Sequence, residues 1–209
     1  MKLVFLGDSM TAMGREKAAA GTPAALGAGF VFLIAAELGK RDPWGYSVLN
    51  RGVSGDHIYE MYARLPKDVF LEKPDVLTIM IGAEDIPYSA NRLATSDARF
   101  EKLYRLILDE VRETLPDTRI ILMTPYSAHY LDEPTLYARM KRYPWYAELA
   151  GKLAAEYGCE TIVLQELLDG AIKQYGRAAI SPDGMNPSPA ASRMIADEWL
   201  RVFDSKEEK

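Results

Sequence analysis

The stretch DVLTIMIG, residues 75–82, sets five apolar side chains and a threonine between an aspartate and a glycine. A strand with one wet face alternates apolar and polar residues. A run that is apolar at both odd and even positions reads instead as a strand covered on both faces, as in a parallel sheet. Four other short runs have the same character: KLVFLG (2–7), YSVLNRG (46–52), RIILMTP (119–125) and ETIVLQ (160–165). Helical patterns lie between them at 24–40, about 57–71, 97–115, about 137–157 and 189–204. In the third of these, Phe100, Leu103, Ile107 and Val111 recur at helical spacing, Ser96 or Asp97 can cap the start, and Pro116 follows the end. Strand and helix alternate five times. The expected class is therefore α/β, a three-layer α/β/α sandwich on a five-stranded parallel sheet with right-handed crossovers.

The 209 residues are 48% hydrophobic and show no linker or repeat, so one domain over 1–209 is expected, with the tail beyond about 205 frayed. A formal charge of -5, without a Lys/Arg cluster along the chain, argues against nucleic acid or an anionic membrane as partner. Cys159 is alone and cannot form an internal disulfide; it reads as a small core residue at the start of a strand. The N-terminal apolar run is too short for a signal-peptide core, and no stretch reaches the roughly 20 residues of a membrane span. The cytoplasm is the expected location. No cofactor is expected. The two histidines, His57 and His129, have no compact metal-ligand spacing with other side chains, so no metal is expected either.

In open α/β sheets ligands sit beyond the carboxyl ends of the strands. That rule selects residues 8–11, 54–57, 82–88, 124–130 and 181–188. Ser9 follows the first strand directly, where its hydroxyl is either presented at the sheet's edge or used as a helix cap. Four blocks occupy these loops in order: GDSMT (7–11), NRGVSGD (50–56), IGAED (81–85) and SPDGMNPS (181–188). Together they resemble the GDSL, or SGNH, hydrolase family over essentially the whole chain. The resemblance implies a flavodoxin-like fold and ester hydrolysis. It implies Ser9 as nucleophile and one oxyanion donor, Gly55 as a second backbone donor, and Asp183 as the aspartate of the catalytic triad. Two positions depart from it. Glu84 stands where the family has an asparagine that donates to the oxyanion, and Asn186 stands where the family has its general-base histidine. Asn186 has no basic nitrogen, and an ionised Glu84 only accepts hydrogen bonds. Losing one oxyanion donor costs about 3–4 kcal/mol in the barrier. Losing the base costs on the order of 10⁴-fold in rate.

Many apolar and aromatic groups accompany these changes. Met10, Phe32, Tyr59, Tyr88, Tyr126 and Tyr130 are expected to line a pocket for a small aromatic or ester-like molecule, with His57 and His129 on the same edge. Tyr143, Trp145 and Tyr146 are expected to pack against the core. A carboxylate in such a dry place is a stronger base than one in water. The first reading is thus a family scaffold with a replaced active site, by design among the options. Glu84 would act as general base for proton abstraction from carbon, of the Kemp-elimination type, with Ser9 as hydrogen-bond donor and Asn186 orienting the ligand or Asp183. The alternative is an ester hydrolase in which His57, His129 or Glu84 activates Ser9. A third reading is an impaired hydrolase that only binds its ligand.

Overall fold

The structure is a computed structural model, and it describes residues 1–86, 94–128 and 142–205. Five parallel strands form one sheet: β1 (Lys2–Gly7), β2 (Ser47–Gly52), β3 (Val76–Met80), β4 (Arg119–Met123) and β5 (Glu160–Ile162), in the order β2-β1-β3-β4-β5. The helices that matter for the site are α1 (Ser9–Ala12), α2 (Phe30–Arg41), α3 (Ile58–Ala63), α4 (Asp97–Thr114), α5 (Tyr143–Tyr157), α6 (Leu164–Tyr175), α7 (Arg177–Ile180) and α8 (Pro189–Asp204).

The two-sided apolar strands have the predicted cause. Leu3 and Phe5 of β1 enter one core, with α2, α6 and α8. Val4 and Leu6 enter the other, with α3, α4 and α5. β3 and β4 divide in the same way: Val76, Met80, Ile121 and Met123 on the first side, Leu77, Ile79, Ile120 and Leu122 on the second. Thr78 is the polar exception on a fully buried strand. The indole Nε1 of Trp199 donates to its hydroxyl at 2.9 Å, so neither group is left dry and unpaired. This bond also fixes α8, and with it the loop that precedes α8, against the middle of the sheet.

Several boundaries differ from the sequence reading. The pattern at 24–40 resolves into a 3₁₀ turn, Pro23–Leu26, and then α2, because Gly27 takes φ +77° between them. The pattern at 57–71 divides into α3 and a π-type turn, Pro66–Phe70, where the proline lacks the N–H a continuing helix needs. α5 begins at Tyr143, with Pro144 in its first turn. The last strand stops at Ile162 and α6 follows almost at once; its Leu164, Leu168 and Ala171 face the core at helical spacing that the sequence reading left unassigned. Cys159 is half-buried rather than a core residue, with its Sγ 3.7 Å from Arg112 Nη2.

Candidate active site

The carboxyl ends of β1 and β2 lie side by side, with Gly7 paired to Gly52. Neither position has room for a methyl group. A Cβ on Gly7 would lie 2.6 Å from the Met80 carbonyl, and one on Gly52 would lie 2.3 Å from the backbone nitrogen of Ala12. Bare backbone at both points lets the single turn α1 sit directly on the strand ends. Asp8 caps that turn, its Oδ1 accepting from the Met10 N–H at 3.0 Å. Asn50 ties the turn down: its Nδ2 donates to the carbonyls of Thr11 at 2.7 Å and Leu26 at 2.8 Å, and its Oδ1 accepts from the Gly52 N–H at 2.9 Å. Ser9 opens this turn and is half-buried.

Arg64, at the end of α3, braces the same corner. It donates to Asp56 Oδ2, Asp68 Oδ2 and the Arg51 carbonyl, each at 2.6 Å, and to the Gly7 carbonyl at 2.9 Å. Asp56 and Asp68 are both buried, so removal of the guanidinium strands two carboxylates. Arg64→Met is expected to destabilise the protein by about 3–5 kcal/mol in urea unfolding. A loss below about 1 kcal/mol would show that the corner does not depend on this cation.

The loop after β3 carries Ala83, Glu84 and Asp85. Asp85 is fully buried; its carboxylate accepts from the Thr95 hydroxyl at 2.5 Å and from the Ile58 N–H at 3.2 Å. Burial raises its pKa against the lowering effect of the Thr95 bond. It is an anchor that joins this loop to the start of α3. Glu84 is 8% exposed. Asp8 has no exposed surface at all. Burial pushes its pKa up to about 7, opposed by the Met10 bond and reinforced by the charges of Glu84, Asp85 and Asp56.

The loop before α8 supplies Asp183 and Asn186. Asn186 donates from Nδ2 to Asp183 Oδ2 at 2.8 Å and from its backbone N–H to Asp183 Oδ1 at 2.7 Å; the Met185 N–H reaches the same Oδ1 at 2.9 Å. Burial alone would raise the Asp183 pKa, but these hydrogen bonds outweigh it and hold the carboxylate below its ordinary value. The loop is held by Ser181 Oγ donating to the Asn186 carbonyl at 2.7 Å and by Ser127 Oγ donating to the Gly184 carbonyl at 3.1 Å.

These three loops meet. Ser9, Met10, Glu84, Tyr126 and Asn186 line one narrow cleft, together with Ala83, Ser127, Tyr143 and Met185. Its free volume is about 10 Å³, the room of one water molecule. Tyr143 and Tyr146 are core side chains as expected, but Tyr143 also walls the cleft. Trp145 is half-buried against the same core. Ser127 and Met185 were missed as wall residues, although both lie in loops that the strand-end rule selects.

Other expected pocket residues are elsewhere. Phe32 is partly exposed on α2 and lines a separate groove at the free edge of β2. Tyr59 is exposed on α3, where its hydroxyl accepts from Arg99 Nη1 at 3.2 Å. His57 caps α3, with its Nδ1 3.5 Å from Glu60 Oε2, and is not a wall of the cleft. Gly55 lies in the exposed turn before α3 at φ +87° and is not a wall either. Phe32 lies apart because β2 is the edge strand and α2 packs beside it, so its ring stands at the sheet's rim. Tyr88, His129 and Tyr130 lie outside the described residues.

Comparison with known proteins agrees with this geometry. The chain is 31% identical to an acetylxylan esterase from Geobacillus stearothermophilus over 96% of its own length and 92% of the relative. Superposition on the crystal structure of that esterase, Axe2, gives a TM-score of 0.82 at 28% identity, again over 96% and 92% of the two chains. Two solved catalytic mutants of Axe2 replace a serine and an aspartate by alanine. LAE5, described as an α/β hydrolase from the metagenome of Lake Arreo, Spain, superposes with a TM-score of 0.83 at 30% identity, over 96% and 93%. Residues 5–194 match the model of the GDSL-like lipase/acylhydrolase family, a span that includes the serine turn, the loop after β3 and the loop before α8. On these grounds the chain belongs to the GDSL-like lipase/acylhydrolase family.

Proposed function

We propose that this chain is a slow ester hydrolase for short acyl groups, with Ser9 as nucleophile and Glu84 in the place of the missing base. The observation that carries the reading is that Ser9 and the buried Glu84 wall the same cleft. Esterase relatives support the reaction class, and the cleft's small volume favours the smallest acyl groups, in keeping with a relative named for acetylated xylan. In the first half-reaction the Ser9 hydroxyl adds to the acyl carbon as its proton passes to the Glu84 carboxylate. The oxyanion meets the backbone N–H of Ser9. Collapse breaks the bond to the alcohol, which leaves with the proton from Glu84. A water then repeats the sequence on the acyl-serine, releasing the acid and restoring Ser9. Asn186 cannot take a proton; its part is to hold Asp183 and the loop.

Proton abstraction from a flat aromatic ligand fares worse. It needs room for a flat ring, which a cleft of about 10 Å³ does not offer, and the relatives are named as esterases and hydrolases.

Intact-mass analysis after a fluorophosphonate probe, together with p-nitrophenyl acetate turnover, tests the proposal. A single adduct on Ser9 is expected, with turnover lost in Ser9→Ala and reduced about 10²–10⁴-fold in Glu84→Gln. Turnover unchanged in Ser9→Ala would take the nucleophile's role from Ser9, and no turnover in the parent chain would leave a binding protein. A rise in Glu84→Gln would remove the base role from Glu84.

A further inference from the structure

A groove of about 460 Å³ runs along the free edge of β2, between the segment 15–26 and α2, and it shares no wall with the Ser9 cleft. Its size is that of a small-molecule site. Arg15, Lys17 and Arg51 lie in its walls, and no carboxylate does. This concentration of positive charge stands on a chain whose net charge is -5.

The cations are only partly satisfied. Arg51 gives Nη2 to Glu72, but its Nε is buried without an acceptor. Arg15 spends its Nε on the Gly52 carbonyl, at 2.5 Å. Among the described residues neither Arg15 nor Lys17 forms an ion pair. Burial first, and then the charge of Arg51, lower the Arg15 pKa, with the Asp68 and Asp56 charges opposing. An anionic acceptor in the groove would offset the positive charge of these side chains. The lining also has an apolar part, Leu26, Ala35, Ala36 and the partly exposed ring of Phe32.

We infer that the β2-edge groove is a binding site for a small organic anion, its carboxylate or phosphate head held by Arg15, Lys17 and Arg51 and its apolar body laid against Phe32. The site is independent of the ester chemistry proposed above. Calorimetric titration of the full chain with benzoate and with phenyl phosphate, using benzamide as the neutral control, tests it and separates the two head groups. Saturable binding of at least one anion is expected, weakened several-fold by 0.3 M salt. Lys17→Glu, at an exposed position, should weaken it about tenfold. Ser9→Ala should leave it unchanged. The inference is overturned if neither anion saturates, if benzamide binds as well as the anions, if Lys17→Glu has no effect, or if the Ser9 substitution abolishes binding.

Discussion

Glu84→Asn combined with Asn186→His raises p-nitrophenyl acetate turnover at least about 10³-fold over the parent chain, since the pair restores a donor and a base that together set most of the barrier. The structure gives specific grounds for this. Asn186 Nδ2 already donates to Asp183 Oδ2 at 2.8 Å, and Asp183 is already held as a carboxylate by three hydrogen bonds from the same loop. An imidazole at 186 therefore finds its orienting partner in place, and Ser9 and position 84 wall the cleft it would enter. Groups of a catalytic set act as a unit, so Asn186→His alone, without the donor restored at 84, should recover much less than the double change. Steady-state rates of the parent, both single variants and the double variant decide the matter. A double variant no faster than the parent, with Ser9 still labelled by the fluorophosphonate, would mean that the loops do not close into a working triad.

Asp8→Asn should remove a large pH dependence of stability. The Asp8 pKa is pushed up to about 7 in the folded protein, against an ordinary value of 3.8. Between those values the folded state keeps a proton that the unfolded state has released, so stability falls as pH rises through this window and is level above it. A difference of about three units corresponds to roughly 4 kcal/mol. Asparagine keeps the oxygen that caps α1 without the charge. Urea unfolding at pH 5 and pH 8 should show a loss for the parent that the variant largely lacks. Asp85 and Asp56, whose pKa values are also raised chiefly by burial, push in the same direction and remain in both proteins, so they cancel in the comparison. The lowered groups, Glu72, Glu101, Glu156, Asp183 and Glu198, act only as pH falls below the ordinary carboxylate range. Equal slopes for parent and variant would refute the assignment.

The layered fold was legible because covering a strand on both faces leaves a direct trace: Val4 and Phe5 are both fully apolar although they point into opposite cores. Helix ends were less legible. Gly27 and Pro66 interrupt patterns whose apolar spacing continues past them, and the spacing of Leu164, Leu168 and Ala171 lay hidden behind the apolar run of β5. The site divides in the same manner. The strand-end rule brings Ser9, Glu84 and Asn186 to one edge, and they meet there because β1 and β3 are central neighbours. It could not tell that His57 stands off the cleft, because it names an edge and not a position along it. Five strands at about 4.8 Å spacing make that edge roughly 20 Å long. Strand order decides which loops converge, and nothing in a single strand's sequence records its neighbours.

The missing methyls at Gly7 and Gly52 have a bearing on what this frame can become. The seat of the serine turn is set by backbone against backbone and by Asn50, not by the groups that would carry out chemistry. Saturation mutagenesis should therefore find the two glycines far less tolerant of replacement than positions 84 and 186. A scaffold whose mechanical constraints and reactive positions are separated in this way can exchange one chemistry for another in a few steps, with no unfolded intermediate in between.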